Sequence, residues 1–214
     1  MTHALCVTGG IGSGKSCVAR LLAGYCNVPL IDIDACCKDL LVPGRPGWLA
    51  VQGAFGSTFF TPDGHVDRPR LRAELFANPG LRVELDALLH PIARDRLRNE
   101  IAQYEQTMLF VEVPLVFEAG WEDDFAAITV VTAGPAVQVS RTRERDGVSG
   151  QQVKQSIEAQ MTLEKKVALA DYVIDNNGSW TDTRVKVVEL GLLLEKKFGC
   201  LSKKNLTLTP IPNN

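Results

Sequence analysis

Residues 9–16 read GGIGSGKS, in which Gly9, Gly14, Lys15 and Ser16 fit the pattern G-x-x-x-x-G-K-S/T. Glycines let a backbone turn its N–H groups inward, and a helix N-terminus behind them completes an anion site. The chemistry this implies is phosphate binding, with Gly10, Ile11, Gly12, Ser13, Gly14, Lys15, Ser16 and Cys17 cradling a nucleoside triphosphate. Lys15 would reach the β- and γ-phosphates, and Ser16 would place its hydroxyl on Mg²⁺. The alternative is a glycine-rich turn that happens to carry a lysine. The apolar run ALCVT (4–8) before the loop and the helical pattern 15–26 after it favour the cradle.

A triphosphate cradle leaves open where the phosphoryl goes. No Asn-Lys-x-Asp element of a guanine-reading switch occurs, and the chain is short for a motor ATPase, so a small-molecule kinase remains. Such an enzyme needs an acid beside the acceptor hydroxyl. The run ending in IDID (31–34) offers Asp32 and Asp34, either of which could take a proton or merely cap the next helix. Arg141, Arg143 and Arg145 in SRTRERDG cannot all face one phosphate from a continuous helix. A mobile lid could use some of them to offset charge during transfer. DNNG (175–178) could hydrogen-bond the adenine through Asn177, or could be an ordinary turn.

The elements that must hold these groups alternate along the chain. Apolar runs at 4–8, 28–33, 108–117, 126–133 and 171–175 are near-continuous, as suits strands covered on both faces. Helical patterns fall at 15–26, 68–77, 80–105, 135–145, 150–168 and 181–198, with a kink or restart expected at His90-Pro91. In the last helix the expected buried stripe is Val185, Val188, Leu192 and Leu193. The fold class that follows is α/β, a doubly wound parallel five-stranded sheet. With 45% apolar and 22% charged residues and a net charge of −2, nothing points to nucleic acid or a membrane. Six cysteines without a C-x-x-C pair and an N-terminus unlike a signal peptide suggest a reduced, cytoplasmic protein. Cys36-Cys37 reads as a pair of small buried hydrophobes, and 201–214 as a loose tail.

TGGIGSGKS, IDID, LVPG, DGHVDRPRLRAELFANP, LLHPI, VEVPLVFEAG, SRTRERD and ADYVIDNNGS, in that order from residue 8 to about 179, resemble the dephospho-CoA kinase family. The resemblance implies a P-loop fold with helical substrate-binding and lid insertions. The core would be 1–60, 107–140 and 168–200, the CoA-binding helical subdomain 61–106, and the lid 141–167. It implies transfer of the ATP γ-phosphoryl to the ribose 3′-hydroxyl of dephospho-CoA, with Mg²⁺ as cofactor. It favours Asp34 as general base and makes Asp32 structural, with Lys15 and Arg141 as catalytic partners and Arg145 and Asn177 at ATP. The substrate-binding residues it implies are Thr8, Asp34, Lys38, His90, Pro114, Leu115, Phe117 and Glu118, and Glu112 would hold Mg²⁺ through water. Lys38 stands where many relatives have arginine, and cannot make a two-pronged contact. His90 is read as bracing the helix or supporting the site from behind. A kinase for another nucleoside or nucleotide, or a non-catalytic nucleotide-binding regulator, are the alternatives. Oligomeric state is left open, a monomer being compatible.

Overall fold

In β1 (His3–Gly9), successive apolar side chains serve opposite faces: Ala4 and Cys6 enter one core cluster, Leu5 and Val7 the other. Both faces are therefore dry, as the near-continuous run requires. The computed structural model describes residues 2–199, which form an all-parallel five-stranded sheet. β1 joins β2 (Leu30–Asp32), β3 (Met108–Glu112), β4 (Ala127–Thr132) and β5 (Tyr172–Asp175) in the order β2-β3-β1-β4-β5.

One face of the sheet is covered by α1 (Lys15–Cys26) and α9 (Trp180–Phe198), through Val18, Leu22, Val187 and Leu194. The other is covered by α2 (Ile33–Leu40) and α5 (Pro79–Ile101), through Leu40, Ala93 and Leu97. This is the doubly wound arrangement, and it gathers the loops after the strands at one edge. Between them lie α3 (Pro46–Phe55) and α4 (Arg68–Ala77), and after β4 come α6 (Pro135–Asp146), α7 (Gly150–Glu158) and α8 (Leu163–Ala168).

Several sequence expectations change. β3 stops at Glu112, two residues before Pro114, which has no backbone donor for a ladder. The helix restart expected at His90 does not occur, because α5 runs through Pro91. Pro91 and Ala87, whose carbonyl loses its partner, both face solvent, so water can satisfy that oxygen. The pattern 150–168 is two helices, separated where Thr162 caps α8 by accepting from Lys165 N. Helix α2 is the one that the capping reading of IDID requires, and α3 has no counterpart among the sequence expectations.

The stripe foreseen on α9 is also displaced. Its buried face is Thr183, Val187, Leu190, Gly191 and Leu194, while Val185, Leu192 and Leu193 face solvent. Gly191 selects that face, since a Cβ there would fall 2.5 Å from the Tyr25 ring. A helical lobe packs separately around Val51, Phe59, Val66, Leu71 and Leu85, with Trp48 and Phe55 against them. Because α3 belongs to this cluster, the lobe's packing begins before the expected boundary at 60/61. Arg94 and Arg98 on α5 tie that lobe to the core by gripping Asp124, at 2.5 and 2.6 Å. The tail expected to be loose, 201–214, lies outside the described residues.

Candidate active site

The loop 9–16 leaves β1 and enters α1 with two glycines in left-handed conformations, Gly12 (φ 72°) and Gly14 (φ 89°). Neither tolerates a side chain. A Cβ on Gly12 would sit 2.4 Å from the Gln138 carbonyl, and one on Gly14 2.3 Å from the Asn176 amide nitrogen. Those two buried amides hold the loop: Gln138 Nε2 donates to Ile11 O (2.7 Å) and Asn176 Nδ2 to Ser13 O (2.8 Å). Asn176 is oriented in turn by the Thr183 hydroxyl, which donates to its Oδ1 at 2.8 Å. Gly14 is the α1 N-cap and offers no side chain to the first-turn N–H groups. The free donors and the helix dipole together make an anion site.

Around this cradle the charges are mixed. The Ser16 hydroxyl donates to the buried Glu112 carboxylate at 2.5 Å. Burial pushes the Lys15 ammonium below its ordinary pKa; Glu112 and Asp34 oppose this, and Arg145 and Lys166 add to it. The two aspartates of IDID divide: Asp32 caps α2, accepting from Ala35 N at 3.2 Å, while Asp34 lies one residue into the helix. Asp34 is accessible to solvent, yet crowding by the cleft walls raises its pKa, with Lys15 pulling it down, Asp32 pushing it up and Lys38 pulling it down.

Three arginines on α6 behave differently. Arg141 donates one nitrogen to Asn176 O (3.2 Å), and its other terminal nitrogen is buried beside Gly14 without a protein partner. Arg145 is held in a two-pronged pair by Asp146, at 2.7 and 2.8 Å, which raises its pKa. Arg143 lies on the far side of α6, in a groove shared with Lys154 and Ile157 of α7. Asn177, foreseen at ATP, is exposed and accepts from Gly134 N at 2.5 Å, joining the ends of β4 and β5.

Beside Asp34 opens a cleft of about 160 Å³ between α2, α5 and the loop after β3, lined by Cys37, His90, Pro114, Leu115 and Trp121. His90 stands edge-on to Trp121 and 3.7 Å from Asp86. Lys38 is exposed at the end of α2, and its carbonyl accepts from Arg68 (3.2 Å), which docks α4. Three residues foreseen at the substrate do not themselves line this cleft. Thr8 is fully buried and donates to Pro114 O at 3.2 Å. Phe117 and Trp121 both belong to the core cluster, and of the two only Trp121 also lines the cleft. Glu118 is ion-paired with Lys166 at 2.9 Å.

Gln138, Asn176, Thr183, Trp121 and Lys166 escaped sequence reasoning. Only Asn176 had a local signal, the doubled Asn of DNNG. Cys36 and Cys37 are held as thiols: burial is the main cause, and their pKa values rise to about 12 and about 11.

Comparisons with known proteins identify the family. A family profile described as dephospho-CoA kinase matches residues 3–182. A dephospho-CoA kinase of Syntrophotalea carbinolica is 36% identical over 187 residues, covering 86% of this chain and 88% of the relative. That of Escherichia coli K12 is 37% identical over 179 residues, covering 84% and 86%. A solved dephospho-CoA kinase from Campylobacter jejuni superposes with a TM-score of 0.66 at 25% identity, covering 92% of this chain and 99% of that one. Phosphate loop, paired aspartates and the cleft beside them thus occur within a match that runs nearly the length of both partners, and the chain belongs to the dephospho-CoA kinase family.

Proposed function

We propose that the protein transfers the γ-phosphoryl of ATP to the ribose 3′-hydroxyl of dephospho-CoA, giving CoA and ADP in the last step of coenzyme A biosynthesis. The observation that carries the residue assignment is the division between the aspartates. Asp32 is used up as a helix cap, while Asp34 keeps a free carboxylate on the acceptor cleft and within electrostatic reach of Lys15.

ATP lies on the N–H groups of the loop, with Lys15 and the free edge of Arg141 at its phosphates. Dephospho-CoA enters between core and helical lobe, its ribose against Pro114, Leu115, Trp121 and His90. Asp34 orients the 3′-hydroxyl and takes its proton late, since a loose transition state needs little activation of the nucleophile. Arg145 exchanges Asp146 for phosphate when the lid, 141–167, closes and excludes water. The hard oxygens of Ser16 and Glu112, already in contact, suit Mg²⁺, Ser16 directly and Glu112 through water. Bound there, the ion would offset charge between the β- and γ-phosphates.

No helix among the described residues is long and apolar enough to cross a membrane. Cys6, Cys17, Cys36 and Cys37 are thiols in no disulfide, which supports a reducing, cytoplasmic setting. An ADP-release assay with dephospho-CoA beside a panel of nucleosides and nucleotides tests the reading. Acceptor-dependent ADP with dephospho-CoA alone is expected; no stimulation by it, or equal stimulation by a nucleoside, overturns the assignment.

A further inference from the structure

Lys166 is the one described lysine with no exposed surface, although α8 (LEKKVA) gives no local reason to bury it. Its ammonium pairs with Glu118 at 2.9 Å and donates to Pro114 O at 3.3 Å. Both partners lie on the loop after β3 that walls the acceptor cleft, more than forty residues earlier in the chain. The same carboxylate oxygen of Glu118 accepts from Met161 N at 2.9 Å, and the Pro114 carbonyl also accepts from Thr8 Oγ1 at 3.2 Å. Thr8 immediately precedes the phosphate loop. One residue before Met161, Gln160 Oε1 accepts from Ile11 N, inside that loop, at 3.1 Å.

The segment 160–166, the C-terminal end of the lid stretch, is therefore fastened at both sites of the reaction: to the phosphate loop through Gln160, and to the acceptor wall through Met161 and Lys166. A buried lysine is an expensive fastening, because a well-packed apolar side chain fills such a space at least as favourably as an ion pair. A lysine does something that an apolar residue there cannot. It fixes the carbonyl of Pro114, and with it the wall against which the acceptor lies, while keeping a positive charge within reach of Lys15.

We infer that Lys166 is a positioning residue for phosphoryl transfer, acting through Glu118 and the Pro114 carbonyl to hold the acceptor wall in register with the phosphate loop. It touches neither substrate. Its effect falls on the placement of the acceptor hydroxyl relative to the γ-phosphoryl, and displacements of about 1 Å at that distance can cost on the order of 100-fold in rate. This rests on the dephospho-CoA kinase reading, since it specifies what the wall is for.

The test compares Lys166→Met, Lys166→Met/Glu118→Gln and Lys166→Gln with the parent, by thermal melting, ATP affinity in a binding assay, and kcat and KM for dephospho-CoA. Lys166→Met strands the Glu118 carboxylate and is expected to melt lower. The double variant removes both charges and is expected to recover the parent melting temperature. In that recovered protein ATP affinity should stay within about 2-fold, while kcat falls by about 10-fold and KM for dephospho-CoA rises. Lys166→Gln keeps a donor for the Pro114 carbonyl at similar size and should restore part of kcat. A double variant with parent melting, kcat and KM overturns the proposal, because the pair is then scaffolding alone. So does a loss of ATP affinity in step with kcat, or failure of both the double variant and Lys166→Gln to fold. Dephospho-CoA-dependent ADP release by the parent, run in the same assay, keeps the two readings separate: its absence sinks the substrate assignment before any variant is compared.

Discussion

Asn176→Ala is expected to weaken the fold and the phosphate loop together, whereas Asn177→Ala is not. The Asn176 side chain is 3% exposed and makes two bonds at 2.8 Å, one to Ser13 O at the base of the loop and one from Thr183. Truncation affects the two partners unequally. Thr183 keeps a second acceptor, Ser179 O at 3.3 Å, so its hydroxyl loses only the net value of one bond, about 1 kcal/mol. The Ser13 carbonyl loses a buried donor, which costs about 1–3 kcal/mol. The sum is about 2–4 kcal/mol. At roughly 2–4 °C per kcal/mol for a chain of this size, the melting temperature should fall by about 4–16 °C.

The loss should also appear in binding, because Asn176 buttresses the left-handed turn at Gly14 from which the α1 donors project. Urea unfolding and ATP titration, each done on both variants, separate the two asparagines. Asn177 is exposed, so its bond to Gly134 N exchanges for water at a cost below about 1.5 kcal/mol. If Asn176→Ala melted within about 1 °C of the parent and bound ATP equally well, the claim that this amide holds the loop would be refuted. If Asn177→Ala proved the more damaging, the two roles would be reversed.

Four other outcomes follow from the electrostatics. Asp34 must be ionised to take a proton, and burial raises its pKa, so the acid limb of kcat/KM should lie above the ordinary aspartate range; Lys15, lowered by burial, sets an alkaline limb below the ordinary lysine value. A carboxylate with a raised folded pKa favours folding while protonated and loses that support as pH rises through it, so Asp34→Asn should melt higher than the parent at neutral pH while turning over more slowly; a lower melting temperature would contradict this. Asp124 runs the other way. Desolvation raises its pKa, but hydrogen bonds from Arg94 and Arg98 outweigh that and lower it, so its stabilisation is complete above the unfolded pKa and lost as pH falls through the folded one. Asp124→Ala should cost about 1–2 kcal/mol by urea titration at neutral pH and little in strong acid. Among the described cysteines, exposed Cys17 should alkylate first at neutral pH, with Cys36 and Cys37 slow because their thiols stay protonated; peptide mass mapping that showed Cys37 reacting first would overturn the placement of that thiol.

What the sequence disclosed and what it hid divide along one physical line. The phosphate loop was legible because its chemistry is local: Gly12 and Gly14 need left-handed backbone, and Lys15 and Ser16 follow on the same turn. The central strands were legible because a residue buried on either face must be apolar, whichever neighbour covers it. Recognition depending on a distant partner was not legible. Lys166 sits in a segment that reads as a solvated helix, and only Glu118 and Pro114 make it a buried ion. Asn176 and Asn177 are chemically equal in sequence, and what separates them is that one faces Ser13 across the sheet and the other faces Gly134 at its rim. On α9, apolar residues surround much of the helix, so hydrophobicity could not choose a face; contact with Tyr25 chose the side that carries Gly191. In each case the deciding contact lies far away in the chain. The same holds for the proposed acceptor half of the site, where Asp34 on α2, His90 on α5 and Pro114 after β3 meet only once the sheet has brought their elements to one edge. Motif spacing therefore carries the proposed phosphate-donor site from within one turn of chain, whereas the proposed acceptor site required the fold.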